Sequence, residues 1–415
     1  MSDQIFIQIA SYRDPQLIPT IKDCIANAAH PENLIFCIAW QHDEKDGWDN
    51  LDEFRTDVRF KIIDIPYQEA KGACWARSLI QRLYNNEKYT LQLDSHHRFV
   101  PNWDVECIQM IEQLQNKGHA KPLLTTYLTS FNPEKDPEER VQIPWKMNFD
   151  RFIPEGAVFF LPAGIDNYQT LTEPIPARFY SAHFCFTLGE FCREVPHDPD
   201  YYFHGEEISI AVRAYTHGYD LFHPHKLIAW HEYTRKGRTK QWDDDKTWGD
   251  KNKSSHLKNR KLFEMDGEIK DIDFGRYDFG TVRSLEDYQK YAGLHFKKRA
   301  VQQYTLDNKI APNPVLSPEE YEASWKMIFK HCVDISYDDM KEEDYDFWVL
   351  AFEDKDGKEL FRKDVTQEEI NWFMKKHESY IKIWREFHTE TKPYKWIFWP
   401  HSKSKGFINR IERVL

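Results

Sequence analysis

The chain has 415 residues, 41% of them hydrophobic and 15% aromatic, and this length suits two domains with substantial cores. Its 68 acidic and 56 basic side chains give a formal charge of −12, which offers no general attraction to nucleic acid or anionic lipid. Because the sequence shows no apolar run of membrane-spanning length, no signal-peptide pattern and only scattered cysteines, we expect a cytoplasmic protein without a membrane span.

The first hundred residues alternate short apolar strands with amphipathic helices. The pattern predicts strands over residues 5–10, 34–40, 58–65 and 89–93, and helices over residues 15–29 and 72–84. Such an order is typical of an α/β fold with a mainly parallel sheet, whose ligands bind beyond the carboxyl ends of the strands. The residues that fall at these ends are Ser11, Tyr12, Arg13, Trp40, Gln41 and Asp94.

The middle of the chain is less regular. Residues 117–180 are richer in proline and predict loops and short strands, which we expect to form one wall of a ligand site. A helix is predicted over residues 204–217 and a single strand over residues 221–230. The polar residues 232–250, which carry several arginines and lysines ahead of three aspartates, predict a mobile loop.

A domain boundary is predicted near Pro312-Asn313-Pro314, which divides the chain into residues 1–310 and a small α+β unit at 311–415. In the second part, Ser317 and Thr366 begin capping boxes, and a hairpin is predicted around Asp356-Gly357. Residues 396–399 predict an aromatic strand.

The triplet Asp94-Ser95-His96 follows the predicted strand at 89–93. Alternate residues share one face of an extended chain, so Asp94 and His96 can hold one divalent cation. A cation with oxygen and nitrogen ligands suits a nucleotide diphosphate leaving group, because it neutralises the charge that develops there. By itself the triplet is also compatible with an ordinary turn at the end of a strand.

Further motifs give the triplet a context. The chain resembles the cytoplasmic N-acetylglucosaminyltransferases that modify protein hydroxyproline and, more distantly, the polypeptide N-acetylgalactosaminyltransferases. The resemblance covers residues 4–262 and rests on five motifs: Ser11-Tyr12-Arg13-Asp14, Gly72 with Ala76-Arg77, Asp94-Ser95-His96 with Arg98-Phe99, Gly205-Glu206-Glu207, and His231.

The resemblance implies a GT-A-type, Rossmann-like domain that binds a nucleotide sugar. It also implies a retaining glycosyltransferase that moves a sugar, most often N-acetylglucosamine, from a UDP-sugar donor to a hydroxyl acceptor. Asp94, His96 and His231 would hold Mn²⁺ or another divalent cation such as Mg²⁺. The residues implied for catalysis are Glu206, Glu207 and Arg77.

The donor contacts implied by the resemblance lie along the same segments. They are Ser11, Tyr12, Arg13, Trp40, Gln41, Arg77, Ser95, Ala182, His183 and, in a loop that closes over the diphosphate, Arg235. The sequence leaves the acceptor undetermined, and a protein, a glycan or a small hydroxylated molecule are the alternatives. It also leaves open whether the chain forms a homo-oligomer.

Two other functions stay open. One is a metal-dependent hydrolase of nucleotide sugars or phosphoesters, because Asp, His and Glu also activate water. The other is a non-catalytic carbohydrate-binding or scaffold protein, for which the C-terminal tryptophans Trp348, Trp372, Trp384, Trp396 and Trp399 would be sugar platforms or core.

Overall fold

The computed structural model of the chain describes residues 3–48, 50–153, 155–340, 342, 344–375 and 380–415. The chain forms two compact units, one of residues 1–297 and 304–315 and the other of residues 298–303 and 316–415. The catalytic and accessory roles expected for residues 1–310 and 311–415 stay predictions.

The first unit alternates strands and helices. Its strands are β1 Ile5–Tyr12, β2 Leu34–His42, β3 Phe60–Pro66, β4 Tyr89–Leu93, β5 His97–Phe99, β6 Pro122–Thr125, β7 Thr129–Ser130, β8 Trp145–Phe152, β9 Val158–Gly164, β10 Ile175–Pro176, β11 Phe184–Leu188, β12 Asp220–His223, β13 Ala229–His231 and β14 Leu294–His295. Its helices are α1 Leu17–Asn27, α2 Ala73–Gln81, α3 Trp103–Asn116, α4 Phe191–Glu194, α5 Glu206–Thr216, α6 Gln241–Asp244, α7 Trp248–Phe263 and α8 Leu285–Ala292.

An eight-stranded sheet forms the centre of this unit, with the strand order β10-β12-β6-β11-β4-β1-β2-β3. The strands β4, β1, β2 and β3 are mutually parallel, and β6 is parallel to β12. β11 runs antiparallel to both β4 and β6. The predicted mainly parallel α/β sheet is therefore confirmed, and so are the four strands and two helices predicted for the first hundred residues.

Both faces of the central strands are buried, which explains their nearly continuous apolar sequences. In β1, Ile5, Ile7 and Ile9 join a core that includes Leu17 and Ile21 of α1. Phe6 points the other way and packs in a second core with Ala76 and Ile80 of α2. The alternation of side chains along one strand thus fixes α1 and α2 on opposite faces of the sheet.

A smaller sheet of order β5-β13-β7 lies beyond the end of β4. β13 pairs antiparallel with β5, so that His231 is opposite His97, and it runs parallel to β7. The single strand predicted over residues 221–230 is therefore wrong. Pro224 lacks a backbone N–H and follows the last residue of β12, so the chain leaves the large sheet there and β13 joins the small one.

Two other predictions need correction. Residues 232–250 are not one mobile loop, because α6 lies inside this segment and α7 begins at Trp248. Residues 117–180 contain more regular structure than expected, since β8 and β9 pair as a long antiparallel hairpin. The helix predicted over residues 204–217 is confirmed as α5.

The second unit is mostly antiparallel sheet. Its strands are β15 Ala300–Gln302, β16 Trp325–Ser336, β17 Tyr345–Glu353, β18 Glu359–Arg362, β19 Tyr380–Thr389, β20 Lys395–Ser402, β21 Gly406–Phe407 and β22 Ile411–Val414. The remaining helices of the chain are α9 Gln303–Leu306, α10 Pro318–Ala323 and α11 Gln367–Met374. β16 pairs with β15 and β19, and β17 pairs with β18 and β20. The pairing of β17 with β18 forms the hairpin expected around Asp356-Gly357.

The tryptophans of the second unit differ in burial, and Trp399 is partly buried. Trp348 and Trp396 are buried in its core, together with Leu350, Ile383 and Phe398. Trp372 and Trp384 are more than half exposed, at 55% and 59%. Among the described residues, none of the helices is both long and apolar enough to cross a lipid bilayer.

Candidate active site

Three strand ends bring the predicted metal ligands together. Asp94 directly follows β4, His96 directly precedes β5, and His231 is the last residue of β13. Because β13 is paired with β5 at the register of His231 and His97, the distant histidine lies beside the Asp94-Ser95-His96 triplet.

The three side chains form a compact set of donor atoms. One ligand atom from each of Asp94, His96 and His231 lies within 4.8 Å of the others. His231 Nε2 is 3.5 Å and His96 Nε2 is 3.7 Å from Asp94 Oδ2. Both ring nitrogens of His231 are buried without a hydrogen-bond partner among the described residues. One carboxylate and two imidazoles fit a divalent cation such as Mn²⁺, so the residues present suit the metal that the sequence motifs imply.

Asp14 orients one of these ligands. Its Oδ2 accepts hydrogen bonds from His96 Nδ1 at 2.7 Å, from Ser95 Oγ at 2.7 Å and from Arg238 Nη1 at 2.9 Å. Burial acts to raise the pKa of Asp14, but His96 and Arg238 hold it well below its ordinary value. With its proton on Nδ1, the His96 ring keeps the Nε2 lone pair free for a metal.

Burial also keeps His231 and His183 neutral. Burial lowers the pKa of His231 well below the usual value, and burial together with the neighbouring His231 does the same to His183. The two rings are stacked with centroids 4.1 Å apart. His183 Nε2 accepts a hydrogen bond from the backbone N–H of Leu128 at 3.0 Å. A neutral imidazole is the form that ligates metals, so these shifts favour His231 as a ligand.

Arg77 connects the candidate metal ligand Asp94 to the glutamates of α5. It lies in the middle of α2 and is only 5% exposed. Its Nη2 donates to Asp94 Oδ1 at 2.9 Å, and its Nη1 is 3.8 Å from Glu206 Oε1. Burial acts to raise the pKa of Asp94, but His231 and Arg77 lower it well below its ordinary value.

Glu206 and Glu207 begin α5, where Gly205 takes a positive φ of 95° as the N-cap residue. Glu207 Oε1 accepts from the backbone N–H of Ala182, and its Oε2 accepts from the Tyr127 hydroxyl, both at 2.9 Å. Burial raises the pKa of both carboxyls, and the charge of Glu207 raises that of Glu206 further. The two groups therefore hold protons more tightly than ordinary glutamates do.

These side chains line one cavity of about 410 Å³. This volume is within the range of about 300 to 1,000 Å³ that is typical of small-molecule sites. The predicted site residues that line it are Tyr12, Gln41, Arg77, Asp94, Ser95, His96, Ala182, His183, Glu206, Glu207, His231 and Arg235. Aromatic side chains form another part of the wall, namely Phe159, Phe160, Tyr202, Phe203 and Trp242.

Three predicted donor contacts do not line this cavity. Ser11 is fully buried in the sheet, where its carbonyl accepts from Gln41 Nε2 at 3.0 Å. Arg13 is held by the carboxylates of Asp46 at 2.7 Å and Asp244 at 3.0 Å. Trp40 stacks on the His42 ring at a centroid distance of 3.6 Å.

The segment after β13 places two arginines at the cavity, Arg235 and Arg238, and the donor contact expected of Arg235 stays a prediction. The Arg235 side chain lies over the rings of Phe203 and Trp242, at 5.9 and 5.3 Å from their centroids. Arg238 lies beside the candidate metal ligands. It contacts Asp14, and its Nη2 is 3.6 Å from Glu232 Oε2.

Sequence reasoning therefore missed four residues that support the site: Asp14, Tyr127, Tyr233 and Arg238. Asp14 is the last residue of the Ser11-Tyr12-Arg13-Asp14 motif, so the motif was the available signal, but no role was assigned to this carboxylate. Tyr233 donates to the Leu128 carbonyl at 2.6 Å, and Tyr127 stacks on His183 at 5.2 Å. Nothing in the sequence around Tyr127 indicates this contact.

Solved structures resemble the chain only distantly. GalNAc-T7, crystallised with UDP, GalNAc and Mn²⁺, aligns over 69% of this chain and 54% of its own at 13% identity, with a TM-score of 0.46. S. aureus TarS aligns over 99% of this chain and 85% of its own at 8% identity, with a TM-score of 0.38. The mannosyltransferase PcManGT from Pyrobaculum calidifontis, in complex with GDP-Man and Mn²⁺, aligns over 57% and 58% at 9% identity, with a TM-score of 0.36. The chain spans about half the length of GalNAc-T7.

The family comparison covers most of the chain. No curated protein matches the sequence. The family model described as Glycosyltransferase (GlcNAc) matches residues 4–57 and 47–298. These spans contain Asp94, His96 and His231 with the other residues that line the cavity. The chain belongs to this GlcNAc glycosyltransferase family.

Proposed function

We propose that the chain is a metal-dependent, retaining glycosyltransferase of the GT-A type. It would transfer N-acetylglucosamine from UDP-N-acetylglucosamine to a hydroxyl acceptor. The observation that carries the proposal is the convergence of the Asp94, His96 and His231 donor atoms within 4.8 Å at the wall of a cavity large enough for a nucleotide sugar. The family description supports the choice of donor.

The site places positive charge among largely buried side chains. A divalent cation held by Asp94, His96 and His231 would neutralise charge on the departing diphosphate. Arg77 is a second, permanent positive charge, and its contact with Asp94 at 2.9 Å keeps that carboxylate ionised. Burial of these groups strengthens their attraction for an anionic leaving group.

The protonation of Glu206 favours one retaining route over the other. In a double displacement an ionised carboxylate attacks the sugar, whereas in same-face attack the leaving phosphate accepts the proton of the acceptor hydroxyl. Because burial raises the pKa of Glu206, this carboxyl is a poor nucleophile and a good hydrogen-bond donor. We therefore favour same-face attack, with Glu206 orienting the sugar or the acceptor.

The His183 ring and Ala182 would contact the sugar of the donor. Both line the cavity, and the Ala182 N–H is bonded to Glu207 at 2.9 Å. Glu207 thereby fixes the backbone at this point, so it acts as a positioning residue. A buried carbonyl or N–H near an N-acetyl group would discriminate donors through hydrogen bonds.

Nucleotide release tests this proposal. The full chain is incubated with UDP-N-acetylglucosamine, UDP-N-acetylgalactosamine, UDP-glucose or GDP-mannose, with MnCl₂ or EDTA, and with or without pooled peptide and glycan acceptors. We expect the fastest release from UDP-N-acetylglucosamine, a requirement for the metal, and a rate that rises with acceptor. His231→Ala should lower kcat/KM by about a hundredfold, whereas His30→Ala, at an exposed histidine, should not change it.

Other outcomes separate the alternatives. Release that is equally fast with and without every acceptor favours the hydrolase. The absence of nucleotide binding in the presence of Mn²⁺ favours the carbohydrate-binding or scaffold protein. Undiminished transfer in EDTA contradicts metal dependence, and a trapped glycosyl adduct on Glu206 contradicts same-face attack.

A further inference from the structure

A second cavity lies at the far end of α2. It has a volume of about 280 Å³ and is lined by the arginines Arg82, Arg193 and Arg276, with Tyr84, Tyr277 and His197 among the other residues. It shares no lining residue with the catalytic cavity. We call it the arginine pocket. The role proposed for this pocket below does not depend on the transferase chemistry proposed above.

The charges around the arginine pocket are poorly balanced. No acidic residue lines it among the residues that the structure describes. Arg193 Nη1 donates to Asn86 Oδ1 at 2.7 Å and to Glu190 Oε1 at 3.2 Å. Within the described part of the chain, the Arg276 guanidinium donates one hydrogen bond, from Nη2 to the Arg193 carbonyl at 3.4 Å. Among the described residues, Arg193 is therefore the one of the three guanidinium groups that forms an ion pair with a carboxylate, that of Glu190. The chain as a whole has a net charge of −12.

A fourth guanidinium lies directly behind the wall of the pocket. Arg213 is 1% exposed, and its Nη1 and Nη2 donate to the carbonyls of Pro196 at 2.9 Å and Arg276 at 3.3 Å. Its Nε has no partner among the described residues. The carboxylate that influences it most, Asp198, is already paired with Lys258 Nζ at 2.6 Å.

A buried, unpaired charge of this kind is costly. Burial lowers the pKa of Arg213 to about 10, so the side chain still carries its charge at neutral pH. Isolated charges inside proteins are normally compensated by a counter-ion or by a full set of hydrogen bonds. Arg213 has two of the hydrogen bonds and no ion-pair partner within the described parts of the chain.

We propose that the arginine pocket binds a small anion of the phosphate class, either free phosphate or the phosphate of a phosphomonoester. Guanidinium groups bind phosphate oxygens through charge-assisted, often bidentate hydrogen bonds. Three arginines line the pocket, and the buried Arg213 donates to two backbone carbonyls of its wall. The volume of about 280 Å³ is at the lower limit for small-molecule sites, which suits a small anion better than a whole nucleotide sugar.

Calorimetric titration of the full chain tests this site. Inorganic phosphate is titrated in one arm and glucose 6-phosphate in another, each with and without saturating UDP and MgCl₂. We expect one saturable site that UDP does not compete for, and about a tenfold weaker affinity in the Arg82→Gln/Arg276→Gln double variant. Arg362→Gln, an exposed arginine of the second unit, should bind as the unaltered chain does.

The two arms distinguish the sources of the phosphate. Tighter binding of glucose 6-phosphate identifies a phosphomonoester site, and tighter binding of inorganic phosphate identifies a free-anion site. The proposal is overturned if neither probe binds saturably at millimolar concentration, if the double variant binds equally well, or if UDP displaces the anion. Because both altered arginines are exposed, we expect the double variant to fold normally, and circular dichroism checks this.

Discussion

At the scale of single residues, Asp14 supports the candidate metal site without being a candidate ligand itself. It is 3% exposed and accepts from three side chains, of which His96 is a ligand. Partners of this kind fix the ring orientation and tautomer of a ligating histidine, and their loss commonly weakens metal binding by about 10- to 100-fold.

The Asp14→Asn variant should therefore bind Mn²⁺ about 10- to 100-fold more weakly. An amide oxygen can still accept from His96 Nδ1, but it no longer balances the positive charge of Arg238. Electron paramagnetic resonance of free Mn²⁺ measures the change. Asp52→Asn, at a carboxylate on the surface, is the matched control. An unchanged affinity in Asp14→Asn means that Asp14 does not orient the ligand.

His223 predicts how stability depends on pH. It lies at the end of β12, 3% exposed, and its Nδ1 donates to the Thr125 carbonyl at 2.8 Å. Burial lowers its pKa to about 4. In the unfolded chain the His223 imidazole takes up a proton near pH 6.5, whereas in the folded chain it is protonated only near pH 4. The stability that His223 contributes is therefore fully present above about pH 6.5 and is lost as the pH falls to about 4.

We expect this single group to remove about 3 kcal/mol from the free energy of unfolding over that interval. Urea denaturation in EDTA at a series of pH values measures it. His223→Gln should make the fall shallower, and His30→Gln, at an exposed histidine, should leave it as it is. Equal slopes in the His223 variant and the unaltered chain would show that this ring is not the group that titrates.

At the scale of elements, the small β5-β13-β7 sheet and the start of α2 build the site. The sheet aligns His231 with the triplet, and α2 carries Arg77. Gly72 makes the beginning of α2 possible. Its φ is 129°, and an added Cβ would lie 2.8 Å from the carbonyl oxygen of Tyr202, a residue of the cavity wall.

Gly72→Ala should lower the free energy of unfolding by about 2 kcal/mol or more and should reduce turnover, because both the backbone strain and the contact with Tyr202 displace α2. Gly118→Ala is the matched control, since Gly118 also has a positive φ, of 97°, but an added Cβ meets nothing within 4 Å. Chemical denaturation and kcat measure the two effects. Equal losses of stability in both variants would assign the effect to backbone strain alone.

The elements also show what a sequence can and cannot predict. The strands β1, β2 and β4 were predictable because both of their faces are buried and their apolar runs end at polar residues. The break between β12 and β13 was missed although His223-Pro224-His225-Lys226 interrupts the apolar sequence there, because the sequence does not show that the chain changes sheets at this point. The helix α7 was hidden by its composition, since WGDKNKSSHLKNRKLF shows only a narrow apolar stripe.

The same limit applies to the site. Asp94 and His96 form a local motif, and local motifs can be read from spacing. His231 entered through a family resemblance, because strand pairing places it beside residues more than a hundred positions away. The contact of Arg238 with Asp14 joins residues 224 positions apart, and no periodicity in the sequence encodes such a contact.

At the scale of the whole molecule, the candidate metal ligands, Arg77 and the two glutamates all belong to the unit formed by residues 1–297 and 304–315. The family match over residues 4–57 and 47–298 covers nearly all of that unit. The second unit has its own core around Trp348 and Phe398. The proposed transfer chemistry therefore depends on the first unit. It requires that one cation is held by Asp94, His96 and His231.

Anomalous diffraction from crystals of the full chain soaked with MnCl₂ and UDP tests that claim most directly. We predict one manganese peak in the cavity, bonded to Asp94 Oδ2, His96 Nε2 and His231 Nε2, and its loss in His231→Ala crystals. A manganese peak bound elsewhere, or a UDP-filled cavity in which His231 contacts no metal, would contradict the account.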